Sequence, residues 1–256
     1  MTILQALSLG IVQGLTEFLP VSSSAHLVIL QYFFGLKGPI LLVFDVVVHV
    51  GTLSSILIYF GKDLFPFPKI GGRAMALIVF ATVPTAVIGF VLKGYTEILF
   101  GTLKPVSIAL LVNSLILWSS RFIPVREQKT QMGWWDAFWI GVVQGIAVTP
   151  GISRSGSTIT AALWFKIKPE DAARFSFFLA IPAIVGATVL IVPETLSSIE
   201  PTMWPPLIVG FLSAFVSGYL AIVSLFRILQ KGRFHYFAIY TLLLAVVAFS
   251  FAWFKP

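Results

Sequence analysis

The stretch Pro150–Gly151–Ile152–Ser153–Arg154–Ser155–Gly156–Ser157–Thr158 sets one arginine, four hydroxyls and two glycines between strongly apolar flanks. An arginine at bilayer depth costs about 3 kcal/mol on insertion scales, and residues that carry such a cost are paired or functional. Gly151 and Gly156 allow a tight turn and a close backbone approach. Ser155 or Ser157 is suited to cap a following helix, whose free N–H groups attract anions. Arg154 adds a planar, permanently charged fork that matches phosphate oxygens. The stretch therefore reads as an anion cradle that interrupts a membrane helix. A hydroxyl-rich cap with a snorkelling arginine is the plainer alternative; it explains the hydroxyls but not the whole cluster.

The flanks make the membrane setting plain. The 256 residues are 58% hydrophobic and 11% charged, with mean hydropathy +0.98, whereas a soluble domain carries roughly 25% charge. Candidate full crossings fall at about 40–60, 74–92, 105–120, 174–193, 203–226 and 234–254, each near the roughly 20 residues that a helix needs to span. The formal charge of +7 is spread over short loops, which suits the positive-inside rule and not nucleic acid. With no cysteine, thiol catalysis, disulfides and Cys-ligated metals are excluded. The first apolar run lacks a basic n-region and contains Glu17, so it is not expected to be a signal peptide.

Residues 1–34 and 134–165 do not read as simple crossings. Each is broken near its middle, by Pro20–Val21–Ser22–Ser23–Ser24 and by the cradle. Broken helices at membrane depth are tolerated where they are buried or line a cavity, so both read as re-entrant helix–loop–helix hairpins. They also resemble one another: Gly10–Ile11–Val12–Gln13–Gly14 matches Gly141–Val142–Val143–Gln144–Gly145, with a proline and serines following each. Three crossings separate the copies, which gives them opposite orientation. The expected fold is thus an all-α integral membrane protein, a single domain over 1–256. It is built as an inverted-topology repeat, about 1–120 and 134–254, with six full transmembrane helices plus the two hairpins.

Loop charges orient this layout. One side holds Lys62, Lys69, Arg73, Arg121, Arg126, Lys129, Lys166, Lys168, Arg174, Arg227, Lys231 and Arg233; the other holds Lys37, Lys93, Lys104 and Lys255. Both termini are expected to be extracytoplasmic, with the hairpin loops meeting near the midplane. Trp134, Trp135, Trp204 and Trp253 lie near span ends, as interfacial anchors do.

On the first hairpin Gln13 and Glu17 are four apart and share a helix face. Ser22, Ser23, Ser24 and His26 follow the break. Glu17 is the only acid in the first forty-four residues, which suits a metal ligand, a general base or a partner for Arg154. Asp45 and His49, also four apart, are either a supporting pair or a simple polar contact. If the loops meet, Gln13, Glu17, Ser22, Ser23, His26, Ser153, Arg154 and Thr158 surround one anion cradle, a set suited to phosphoryl transfer. The lipid-facing wall suggests a substrate with an apolar tail.

These residues resemble the undecaprenyl-diphosphate phosphatases of the bacitracin-resistance type. The likeness rests on Gln13–Gly14–Leu15–Thr16–Glu17–Phe18–Leu19–Pro20–Val21–Ser22–Ser23 with His26, and on Pro150–Gly151–Ile152–Ser153–Arg154–Ser155 with Thr158. It implies hydrolysis of a polyprenyl diphosphate to the monophosphate, recycling the lipid carrier for cell-wall glycans. It implies that Glu17, His26 and Arg154 occupy essential positions, with Ser153 and Thr158 alongside. With the residue reading above, the expected catalytic residues are Glu17, His26, Arg154 and Ser153, and the expected phosphate-binding residues Ser22, Ser23, Gly151, Ser155, Gly156 and Thr158. The resemblance also implies a divalent cation, Mg²⁺ or Ca²⁺, held by Glu17 and Gln13, and a site open to the outer side of the cytoplasmic membrane. Gln13 stands where many members of that family carry a glutamate, which leaves Glu17 the sole carboxylate near the cradle. The nucleophile is a serine hydroxyl (Ser22, Ser23 or Ser153) or a water, with His26 assisting. Expected partners are the prenyl lipid, the bilayer and at most a second copy in a homodimer, not nucleic acid. The main rival reading is a transporter or flippase of a phosphorylated lipid, since broken helices meeting at the midplane are a carrier signature. A channel or purely structural membrane protein does not explain Glu17, His26 and Arg154 together.

Overall fold

The computed structural model describes residues 1–38, 40–64, 71–95, 102–123, 128–129, 131–195 and 200–254. Lys69, Arg126 and Lys255 of the loop-charge pattern lie outside the described residues. Ten main helices follow in chain order. They are α1 (Ile3–Phe18), α2 (Ser23–Phe33), α3 (Ile40–Tyr59), α4 (Gly72–Lys93) and α5 (Leu103–Ser119), then α6 (Trp134–Ile146), α7 (Arg154–Trp164), α8 (Pro169–Thr195), α9 (Trp204–Gln230) and α10 (Phe237–Phe254).

Among the described residues, six stretches are long and apolar enough to cross a bilayer: Leu41–Tyr59, Gly72–Leu92, Leu103–Phe122, Pro169–Leu190, Pro201–Gln230 and Phe234–Trp253. All six expected crossings are present. The differences at their ends have local causes. Helix α8 begins at Pro169, with Glu170 and Asp171 in its first turn, where proline is pre-organised and acids complement the helix dipole. Helix α9 runs to Gln230 because Arg227, in its last turn, is favourable at a C-terminus. Trp134, Trp135, Trp204 and Trp253 are all exposed at helix ends.

The two interrupted regions form helix–break–helix units, α1–α2 and α6–α7. Their helices have 16, 11, 13 and 11 residues, each short of the roughly 20 needed to cross. Polar caps stabilise their starts. Thr2 and Gln5 form a capping box on α1. The Asp136 carboxylate accepts from Gly133 N–H (2.8 Å) and from Lys129 (2.6 Å) at the start of α6.

Small residues decide where these short helices sit. Helix α1 lies on α9, and a Cβ on Gly10 or Gly14 would come within 2.5 Å of the carbonyls of Gly210 and Ala214. Helix α6 lies on α4, where a Cβ on Gly145 would reach 2.7 Å from Ile88 Cβ, and one on Gly141 would overlap the Ala81 carbonyl. Such close approach is how membrane helices gain packing without a hydrophobic driving force. Helix α3 packs on α8 and α9, α4 also on α8, and α5 on α10. The main core cluster contains Phe18, Phe60, Phe177 and Phe178. Phe18 meets Phe177 edge-on at 5.1 Å, a favourable aromatic geometry, and this anchors the residue next to Glu17.

Candidate active site

Both breaks follow from their sequences. Helix α1 ends at Phe18, Leu19 turns extended, and Pro20 lacks the N–H to continue the helix. Ser22 then takes φ 65 and caps α2 by accepting from Ala25 N–H. In the second break Gly151 takes φ 104, a region that L side chains rarely adopt. Ser153 caps α7, its Oγ accepting from Gly156 N–H at 3.0 Å.

The two breaks touch. Gly151 N–H donates to Ser22 Oγ (3.1 Å) and Ser155 Oγ donates to Leu19 O (3.2 Å). A Cβ on Gly156 would meet Pro20 Cβ at 3.0 Å. From α5, the buried Asn113 reaches both loops at once: Nδ2 donates to Pro20 O (3.4 Å) while Oδ1 accepts from Ser153 N–H (2.9 Å).

Glu17 sits at the centre of this contact. Its Oε1 is ion-paired with Arg154 Nη2, and its Oε2 accepts from Ser23 Oγ (2.6 Å) and Gln13 Nε2 (2.8 Å). His49 Nε2, from α3, lies 3.6 Å from the same oxygen. The Glu17 side chain is 4% exposed and that of Arg154 19%. A buried carboxylate needs this many donors, because an unpaired charge there is very costly. Arg154 also donates to Ala180 O at 3.4 Å. The site thus joins one anion-binding fork, one carboxylate and one serine hydroxyl aimed at that carboxylate. Nucleophile and base within hydrogen-bond reach are the signature of covalent catalysis.

The other expected residues surround this centre. Thr158 Oγ1 bonds Arg154 O (2.8 Å) and Ser176 Oγ (2.6 Å), so it buttresses the start of α7. Ser153 Oγ lies 3.2 Å from Ser155 Oγ. His26 faces elsewhere: Nδ1 is 2.7 Å from Ser22 O and Nε2 2.7 Å from Tyr240 OH. Asp45 accepts from Gln31 of α2 (2.7 Å), and His49 Nδ1 bonds Asp45 O (2.6 Å). The Asp45–His49 pair therefore connects both to α2 and to Glu17.

A divalent cation would need oxygen donors here. Among the described residues no three His, Asp or Glu side chains converge as a metal centre. However, Gln13 Oε1 is buried without a partner, on an amide whose Nε2 bonds the Glu17 carboxylate. Hard cations such as Mg²⁺ take oxygen donors, keep several waters, and are often bound by one or two carboxylates plus substrate phosphates. The residues present fit such an ion.

Three features escaped the sequence reading: the Asn113 clasp, Tyr240 against His26, and the approach of His49 to Glu17. Asn113 carried a signal, a lone amide in the apolar run Leu110–Leu111–Val112–Asn113–Ser114–Leu115, since polar groups inside membranes mark function or packing.

Six apolar helices around a buried carboxylate–arginine–serine centre define a multi-pass membrane protein with a charged polar site. The model of the bacitracin resistance protein BacA family matches residues 6–247, and this chain belongs to that family. It is 45% identical over 247 residues, 94% of each chain, to the undecaprenyl-diphosphatase of Carboxydothermus hydrogenoformans. To that of Desulfosudis oleivorans it is 44% identical over 268 residues, covering 95% of this chain and 96% of the other. To that of Korarchaeum cryptofilum it is 38% identical over 269 residues, covering 98% and 99%.

Proposed function

We propose that this protein is an undecaprenyl-diphosphatase, releasing phosphate from the lipid diphosphate and leaving the monophosphate in the membrane. Near-full-length relatives bearing that name support the activity. The observation that carries the chemistry is the Glu17 carboxylate, which receives Ser23 Oγ and Arg154 from opposite sides.

Arg154 binds the terminal phosphate, exchanging Glu17 for phosphate oxygens of the same charge and planar match. Gly151 and Gly156 keep the loop backbone close enough to line the phosphate, with Ser22, Ser153, Ser155 and Thr158 fixing its shape. Glu17, relieved of Arg154, takes the proton of Ser23 as Ser23 Oγ attacks the terminal phosphorus. The bond to the bridging oxygen breaks, and the prenyl monophosphate leaves. Water then clears the phosphoserine, with His26 as the second proton-handling group. Direct attack by water on the same carboxylate is the alternative route. Gln13 Oε1 and Glu17 are the side chains that would hold Mg²⁺ or Ca²⁺, which neutralises diphosphate charge when bound.

We further infer that the breaks are re-entrant hairpins of an inverted repeat. Each hairpin's first helix packs on the other half of the chain, α1 on α9 and α6 on α4, and α3–α9 packing is answered by α4–α8. Exchanging the halves exchanges these contacts, as a two-fold relation between repeats requires. The distribution of basic loops supports an orientation with both termini outside, and the resemblance supports a site open to the outer side of the cytoplasmic membrane. Carriers share this architecture, so a flippase is the second reading, and a homodimer is compatible with either.

The test is phosphate release from farnesyl diphosphate by purified protein, with and without chelator. Turnover that Glu17→Gln and His26→Ala abolish supports the phosphatase. Lipid movement that survives both substitutions supports the carrier.

A further inference from the structure

The His26 ring is held at both nitrogens. Nδ1 lies 2.7 Å from a carbonyl oxygen, that of Ser22. A carbonyl only accepts, so Nδ1 carries the hydrogen. In the neutral ring Nε2 is then the lone-pair nitrogen, and Tyr240 OH, 2.7 Å away, donates to it. The two ring planes are parallel to within 2°, with centroids 5.8 Å apart, an orientation compatible with the hydrogen bond.

Packing brings these partners near each other. Ala25 and Ile29 of α2 share one buried cluster with Ala245 and Ala248 of α10, together with Leu103, Val106 and Leu110 of α5. Phe33 meets Phe251 edge-on at 4.9 Å. His26–Tyr240 and Phe33–Phe251 are thus two side-chain bridges between α2 and α10. Tyr240 is half-exposed while His26 is buried, so the tyrosine covers the imidazole from outside.

We propose that Tyr240 is a positioning residue for His26, holding its imidazole in the Nδ1–H tautomer and in one plane beside the Ser22 turn. The phenol serves both charge states, donating to the neutral ring and accepting from the protonated one. Partners that orient a functional histidine in this way are typically worth about 10–100-fold in activity. The role assigned to Tyr240 rests on the proton-handling role proposed above for His26.

The test is Tyr240→Phe in the full chain, which keeps the ring and its packing and removes only the hydroxyl. Phosphate release from farnesyl diphosphate should fall about tenfold in kcat with KM within about twofold. A second readout does not need turnover: acylation of His26 by diethylpyrocarbonate, mapped by mass spectrometry, with His235 as the reference in the same sample. Uncovering the Nε2 lone pair should speed acylation of His26 severalfold relative to His235. An unchanged relative rate, or an unchanged or raised kcat, would overturn the proposal. If the wild-type protein releases no phosphate, the proposed activity fails, and the acylation rate alone still decides whether Tyr240 holds His26.

Discussion

Glu17 and Arg154, 137 residues apart in sequence, form a buried ion pair that closes the contact between the two helix breaks. Here the carboxylate engages Arg154 Nη2. On the mechanism proposed above, anion binding begins as an exchange, with diphosphate displacing Glu17 from Arg154.

That exchange predicts unequal effects of substitution. Arg154→Lys keeps the charge but loses the bidentate fork, and should raise KM more than it lowers kcat. Arg154→Ala leaves a buried carboxylate short of a partner, a loss of about 3–5 kcal/mol for broken buried pairs. It should therefore unfold at lower temperature in detergent, and the double variant Glu17→Gln, Arg154→Ala should recover part of that stability. Equal thermal stability of wild type and Arg154→Ala would show that the pair is not buried as described.

Ser23 is the serine whose Oγ meets the carboxylate, at 2.6 Å, while Ser22 Oγ accepts from Gly151 N–H and Ser153 Oγ from Gly156 N–H. Ser23→Ala should lower kcat by about 100-fold or more, the scale of a lost nucleophile or proton-transfer partner. Rapid-quench mass spectrometry should find phosphate on residue 23. Quenched enzyme without phosphoserine at burst sensitivity would move the attack to water.

Asn113 holds both loops with one amide. Asn113→Leu leaves Pro20 O and Ser153 N–H unpaired, each costing about 1–3 kcal/mol when buried, and should lower both stability and kcat. Asn113→Asp keeps the acceptor for Ser153 but turns toward Pro20 O a carboxyl that is costly to bury charged, so it should also destabilise. Wild-type stability and kcat in Asn113→Leu would contradict the clasp.

Gln13→Glu adds a second carboxylate next to Glu17. Cation affinity rises with ligand charge, so Mg²⁺ binding measured by calorimetry with a methylene-bridged prenyl diphosphonate should tighten on the order of tenfold. Unchanged affinity would remove Gln13 from the cation site.

Much of the architecture was legible because membrane crossings write themselves as uncharged runs, and the two breaks as proline followed by serines. The reading placed Glu17 and Arg154 in one site because neither is tolerable alone in an apolar setting. It erred by a few residues where charge sits inside a helix end, as with Glu170 and Arg227. Side-chain direction was not legible. Nothing in the spacing says that His26 turns toward Tyr240, or that His49 rather than His26 lies 3.6 Å from Glu17. Those choices depend on which helices become neighbours, which here is set by glycine contacts such as Gly14 with α9. The two halves also divide the chemistry. Ser22 and Ser153 stand equally far after Gly10 and Gly141 and cap α2 and α7. The next residue is Ser23 in one half and Arg154 in the other, and both bond Glu17.

The most direct measurement is inorganic phosphate released from farnesyl diphosphate by the purified wild type, Glu17→Gln and Arg154→Ala, with binding of the methylene-bridged analogue followed in parallel. The account predicts turnover by the wild type alone, with Glu17→Gln still binding the analogue and Arg154→Ala binding it at least about tenfold more weakly, the loss of a charge-assisted contact. Undiminished phosphate release by either variant would contradict it.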